Sequence, residues 1–184
     1  MINSGVLFQI RLFPSESRYD GEFHRKVAPG RFSVMCHGVI SADGPVSFAV
    51  VTGSINRFTY TVLLAKTVMP KIRERRKKKK RTIWMHDNAP CHKARLVQAY
   101  LKKCKVSVMK WPPLSPDMNP IENVWNIMWQ YIGKRSPTTK KELESLMYKA
   151  WEKLVTPQLC RKLYDTMQRR VLDLLLNDGL RTKW

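Results

Sequence analysis

The sequence predicts an α/β fold, a mixed sheet with helices on its faces, and three observations lead there. Strand-forming runs broken by turn chemistry fill the first third, strand and helix patterns alternate through the middle, and helical periodicity fills the last third. GVLFQIRLF (5–13) is rich in strand formers and is followed by the polar turn SESRYDGE, which makes it a first strand. SVMCHGVI (33–40) and VSFAVVTG (46–53) flank SADGP, whose Asp-Gly-Pro favours a turn, so the two runs read as a hairpin. From Asn56 or Arg57 to Met69, Tyr60, Leu63, Leu64 and Val68 recur at helical spacing, and Pro70 marks the exit.

Residues 71–81, KIRERRKKKKR, carry nine positive charges and one negative with little to bury, and read as a solvated basic loop. TIWMHD (82–87) resumes as a short buried strand. KARLVQAYLKKC follows as a helix with Ala94, Val97 and Leu101 on one face, and KVSVM (105–109) as a further strand. A strand-helix-strand unit after an antiparallel meander requires a right-handed crossover, hence the mixed sheet. Beyond WPPLSPDMNP, a helix from Pro120 to about Lys134 aligns Ile121, Val124, Trp125, Met128, Trp129 and Ile132. A second opens at the capping-box sequence TKKE (139–142) and turns Leu143, Leu146, Met147, Ala150 and Leu154 inward. A third starts at Thr156 with Pro157 in its first turn and is stopped by Asn177, Asp178 and Gly179. With 184 residues, 43% of them apolar, the chain reads as one domain over 1–184.

Charge restricts the partner. Lys plus Arg number 34 against 14 Asp plus Glu, a formal net charge of +20, which points to a polyanion rather than a small neutral substrate. No run of about 18 apolar residues exists, so nucleic acid ranks above membrane. Within the basic segment, Arg75, Arg76, Lys77, Lys78, Lys79, Lys80 and Arg81 are the candidate DNA-phosphate contacts, and the run also reads as a nuclear import signal. Cys36, Cys91, Cys104 and Cys160 have no CxxC spacing, and no secretory signal opens the chain, so reduced thiols in an intracellular compartment are expected.

Two acids carry the chemistry. Asp87 closes an apolar strand, where its carboxylate projects from the sheet edge that α/β folds use for ligands, and Glu122 lies in the first turn of a helix, with 34 residues between them. Paired carboxylates of this kind suit the grip on divalent cations that phosphodiester chemistry requires. Each also has a purely structural explanation. Asp87 suits a turn before Asn-Ala-Pro, and Asn119 with Glu122 matches the N-cap and N3 positions of a capping box.

HDNAPCHKARLVQAYL followed by WPPLSPDMNPIENVW resembles the catalytic domain of mariner-type transposases, the Tc/mariner superfamily of cut-and-paste DNA elements. RFSVMCHGVISADGPVSF and CRKLYDTMQRRVLDLL resemble that family's hairpin and terminal helix. The resemblance implies a ribonuclease-H-like fold whose three acids hold two Mg2+ or Mn2+ ions for DNA cleavage and strand transfer. Asp87 would be the second acid and Glu122 the third, while His86, Asn88 and His92 would line the site. It also implies DNA as partner, pairing of two copies of the chain, and a nuclear location.

The first acid departs from the pattern. The family's strand ends in Phe, a small residue, then Asp-Glu-Ser, whereas this chain reads LFPSESRYD and places Ser15 at the Asp position. A neutral hydroxyl removes one negative charge from a site that must hold divalent cations. Glu16 should face away because successive strand side chains alternate, and Asp20 lies beyond the turn. The helix-turn-helix modules that usually precede this domain have no counterpart in the sequence. Weakened metal binding and impaired catalysis are expected. A non-catalytic basic DNA-binding module derived from a transposase is the alternative, and a basic RNA-associated protein, with Asp87 and Glu122 far apart, is a third reading.

Overall fold

A computed structural model describes residues 2–11, 33–80, 82–112 and 115–179, with backbone alone for 2–11. Five strands form one sheet: β1 (Ile2–Arg11), β2 (Ser33–Ser41), β3 (Gly44–Val51), β4 (Ile83–Met85) and β5 (Ser107–Val108). Their order is β3-β2-β1-β4-β5. β1 pairs antiparallel with β2 and parallel with β4, and β4 pairs parallel with β5, which is the mixed topology expected from the sequence. The hairpin forms as expected. Its turn is tied by the Ser41 hydroxyl donating to the Gly44 carbonyl at 3.2 Å, and Gly44 takes φ +131°, which a side chain would resist.

β2 is buried on both faces because alternate residues enter different cores. Val34, Cys36 and Ile40 pack beneath α5 (Pro120–Gly133), α6 (Lys140–Leu154) and α7 (Pro157–Asp165). Val39 enters the opposite core, with Tyr60, Leu64, Val68 and Ile72, Trp84 of β4, and Val97 and Leu101 of α4 (Arg95–Lys103). Gly38 is required by packing. A Cβ there would overlap Trp125 Cη2 and lie 2.9 Å from Trp151 Cζ3.

Three elements differ from the sequence reading. α1 (Arg57–Leu63) begins at Asn56, whose side chain accepts from Phe58 N–H and Thr59 N–H in a capping box, but Pro70 does not end the helix. A π-helical turn over Leu64–Val68 leads directly into α2 (Met69–Lys77), with Pro70 in the first turn of α2, where a missing N–H does no harm. The expected basic loop is therefore helical as far as Lys77. Lys, Arg and Glu are good helix formers, and Ile72 supplies a buried anchor for the segment. Ahead of α4, a short turn α3 (Pro90–Lys93) is set off by Ala94 at ψ 137°. The last helix is broken at Thr166 into α7 and α8 (Met167–Leu176).

All four cysteines are free, with Cys36 and Cys160 buried. Trp125 fills the core as expected and Trp151 joins it, whereas Trp129 is 37% exposed at the edge of α5. Among the described residues, no helix is long and apolar enough to cross a membrane.

Candidate active site

β4 ends at Met85, and the chain turns through His86 and Asp87 into α3. The turn is built around Asp87 Oδ1, which accepts from Ala89 N–H at 3.0 Å and from His92 Nδ1 at 2.6 Å. α3 is what returns His92 to Asp87: His92 N–H donates to the Ala89 carbonyl, and Gln98 Nε2 holds the His92 carbonyl at 2.7 Å. The Asp87 side chain is 40% exposed, and its Oδ2 has no hydrogen-bond partner among the described residues. One oxygen is fixed, and the other is free to meet a ligand.

His92 is fully buried and ring-stacked with His86 at 4.8 Å between centroids. Tyr60 lies 4.2 Å from the His92 ring, and its hydroxyl is hydrogen-bonded with His86 Nδ1 at 3.2 Å. Burial works against charge on all three clustered histidines. His37 is held down at about 3 by burial and by the charge of His92, and His86 is lowered to about 4 for the same reasons. Burial also pushes His92 down. That effect is outweighed by the hydrogen bonds to Asp87 and Cys91 and their charges, which bring it up to about 9. The bond to Asp87 thus favours the charged form of His92, which faces an aromatic ring and a carboxylate. For Asp87, burial raises the carboxyl, but the His92 bond and the Ala89 N–H prevail and hold it below the usual range.

Glu122 does not cap α5. Asn119, the N-cap residue, is buried, makes no side-chain cap bond and leaves its Oδ1 without a partner among the described residues, so the expected capping box is absent. The Glu122 carboxylate forms no hydrogen bond or salt bridge with any described residue. Burial, and next the charge of Asp87, push it up to about 7. By that second cause the charge on Asp87 is felt at Glu122. A carboxylate held ionised at Asp87 and a second at Glu122 that feels its charge, each with oxygen left unengaged, suit the hard-ligand chemistry of a divalent cation.

The described residues contain no group of three His, Cys, Asp or Glu arranged to hold a metal ion. Ser15, Glu16 and Asp20, the positions in question for a further ligand, lie outside the described residues, as does Arg81. Asn88 borders the site by donating Nδ2 to the Trp111 carbonyl at 2.8 Å, which joins the Asp87 turn to the segment leading towards Glu122. The basic segment is partly committed to internal contacts. Arg75 and Lys80 both reach Asp43 at 2.9 Å, Arg76 caps the end of α4 through the carbonyls of Cys104 and Lys105, and Lys78 pairs with Glu74. Lys77 and Lys79 are exposed and have no ion pair among the described residues.

Sequence reasoning passes over Tyr60, Asn123 and Arg170. Tyr60 reads as one more apolar helix position, and nothing in the pattern marks a single arginine in a basic chain.

Residues 21–144 match the family model described as DDE superfamily endonuclease. The chain belongs to that family. Curated relatives at lower identity are found among the Tc transposases. The transposable element Tc3 transposase of Caenorhabditis elegans is 27% identical over 152 residues, which cover 82% of this chain and 45% of the relative. The Tcb1 transposase of Caenorhabditis briggsae is 27% identical over 173 residues, covering 93% and 62%. The chain thus spans 45% to 62% of the length of these relatives.

Two solved structures share the fold of the DDE domain. The Mos1 transposase catalytic domain with raltegravir and Mn superposes with a TM-score of 0.75 at 18% identity, covering 99% of this chain and 84% of that one. The Mos1 mariner paired end complex with Mn gives 0.77 at 18% identity, covering 99% and 56%. The ribonuclease-H-like arrangement expected from the sequence is thereby established.

Proposed function

We propose that this DDE domain binds DNA and retains a divalent-cation site at Asp87 and Glu122, with phosphodiester cleavage and strand transfer weakened by Ser15. The observation that carries this reading is the fixed Asp87 turn, with Oδ1 held and Oδ2 unengaged, whose charge is felt by an equally unengaged Glu122 carboxylate. Asp87 would offer Oδ2 while His92 and Ala89 N–H hold Oδ1 in place. Glu122 would offer both oxygens from the first turn of α5, ionising as a cation offsets the charge of Asp87. A bound Mg2+ or Mn2+ supplies Lewis-acid activation of a water or 3′-hydroxyl and neutralises charge on the leaving oxygen. The basic residues at the end of α2, Lys77 and Lys79 foremost, would contact DNA phosphates. The Mos1 paired end complex has been solved both with Mn and with Mg, which supports the choice of cation.

Ser15 favours a second reading, in which the domain still binds DNA but no longer cuts it. Nicking of supercoiled plasmid in Mg2+ or Mn2+ separates the two. Weak nicking that Asp87→Ala abolishes and Ser15→Asp raises supports the first. DNA binding without nicking, unchanged by Ser15→Asp, leaves only the second. Pairing of two copies and a nuclear location belong to the same proposal and are checked by sedimentation of the DNA-bound chain and by imaging of a tagged chain.

A further inference from the structure

Arg170 in α8 is 1% exposed, a rare situation for a guanidinium, and all three of its nitrogen positions are engaged. Nη1 donates to the Asp117 carbonyl at 2.6 Å, Nη2 to Asn123 Oδ1 at 2.7 Å, and Nε to Thr166 Oγ1 at 3.0 Å. The Thr166 hydroxyl in turn donates to the Leu163 carbonyl at 2.7 Å, which anchors the fork to the break between α7 and α8. Asp117 and Asn123 lie on either side of Glu122 in the sequence.

We propose that Arg170 is a positioning residue for Glu122, fixing the loop before α5 and the first turn of α5 so that the carboxylate stands beside Asp87. The inference rests on reading Asp87 and Glu122 as a cation-binding pair. Apolar packing of Ile121 and Val124 holds the core face of this turn, and the Arg170 fork ties the loop beside it. Asn119 supplies no side-chain cap, Pro120 has no N–H, and the bond from Glu122 N–H to the Asn119 carbonyl at 3.1 Å is local. Stability alone does not account for the arrangement. A buried guanidinium loses its hydration, and this one lies near the start of a helix whose dipole opposes positive charge, a cost that the charge of Asp117 offsets in part. What the planar fork adds is a rigid bridge from Asp117 to Asn123, which a flexible ammonium cannot reproduce.

The test uses the full chain with Arg170→Lys, Arg170→Gln, Glu122→Gln and the Glu122→Gln/Arg170→Gln double variant. Hydrogen exchange should quicken by about tenfold or more at the Glu122 and Asn123 amides of Arg170→Gln while α6 is unchanged. Mn2+ affinity, measured by calorimetry, should fall by about tenfold in Arg170→Gln and by less in Arg170→Lys. The double variant should bind Mn2+ no more weakly than Glu122→Gln alone. Unchanged exchange at the start of α5, exchange that rises equally across α5 to α8, or a further tenfold drop in the double variant each overturns the proposal. If the parent chain binds no Mn2+, the cation reading fails, and the exchange arm still decides whether Arg170 holds the Glu122 turn.

Discussion

Replacing Glu122 by Gln should stabilise the fold at alkaline pH and leave it nearly unchanged in acid. Glu122 is pushed up to about 7 in the folded protein, from an ordinary value of 4.5 that the unfolded chain should show. Between those values the folded state binds more protons than the unfolded state, so stability falls as pH rises through the window and stays low above it. The linkage gives a penalty of about 0.2 kcal/mol at pH 4 and about 3 kcal/mol at pH 8, the latter reduced by screening at the solvent-exposed edge of the group. Glutamine has the same shape and no charge to desolvate, so the variant should avoid this penalty. Urea unfolding followed by tryptophan fluorescence at pH 4, 6 and 8 measures the gap between parent and variant, and background charge repulsion largely cancels in the difference. Saturating Mn2+ at pH 8 should narrow the gap by stabilising the parent alone. A gap that does not change with pH, or that narrows as pH rises, would refute the account of Glu122 as a carboxylate held against its preference.

Three further outcomes follow from other parts of the structure. His92→Ala removes a charge-assisted hydrogen bond of 2.6 Å and should cost about 1.5–3 kcal/mol between pH 4 and 6.5. The His92 contribution should fade as pH rises through about 9, and that of Asp87 as pH falls below its ordinary 3.8, which thermal unfolding from pH 3 to 10 would resolve. Gly38→Ala forces a methyl group against Trp125 and Trp151 and should lower stability by about 1–3 kcal/mol in urea unfolding, with partial recovery on Trp125→Phe. Lys77→Gln with Lys79→Gln should make the slope of log affinity for duplex DNA against log salt shallower by roughly 0.9 for each phosphate no longer neutralised, as read by fluorescence anisotropy.

The sheet and most helices are legible in the sequence because their periodicities coincide with burial. In β2, Val34, Cys36 and Ile40 alternate with Val39 across two cores, and the apolar face of α5 is nearly the one read from spacing. Asp87 and Glu122 are legible as a pair from the two segments that carry them. The end of α1 is not. Pro70 is a strong stop signal on paper, and the charge run behind it offers only Ile72 as an apolar cue, so helix propensity is hidden by composition. The spacing of Asn119 and Glu122 satisfies a capping box, yet the buried Asn119 side chain makes no cap bond. Arg170 acts through partners 47 and 53 residues away, and local pattern carries no trace of such distances.

The π-helical turn at Leu64–Val68 works as a phase correction. Tyr60, Leu64, Val68 and Ile72 recur every four residues, a spacing that drifts around a regular α-helix, yet all four are buried in one core. The wide turn, closed by Met69 N–H on the Leu64 carbonyl, absorbs that drift. Losing a single codon, Ala65 for instance, would rewind the segment as regular α-helix and leave those four side chains at spacings of four, three and four, still on one face. Ile72 would stay in its core and Arg75 near Asp43, so at this turn a length change of one residue would be absorbed rather than felt as a misaimed helix.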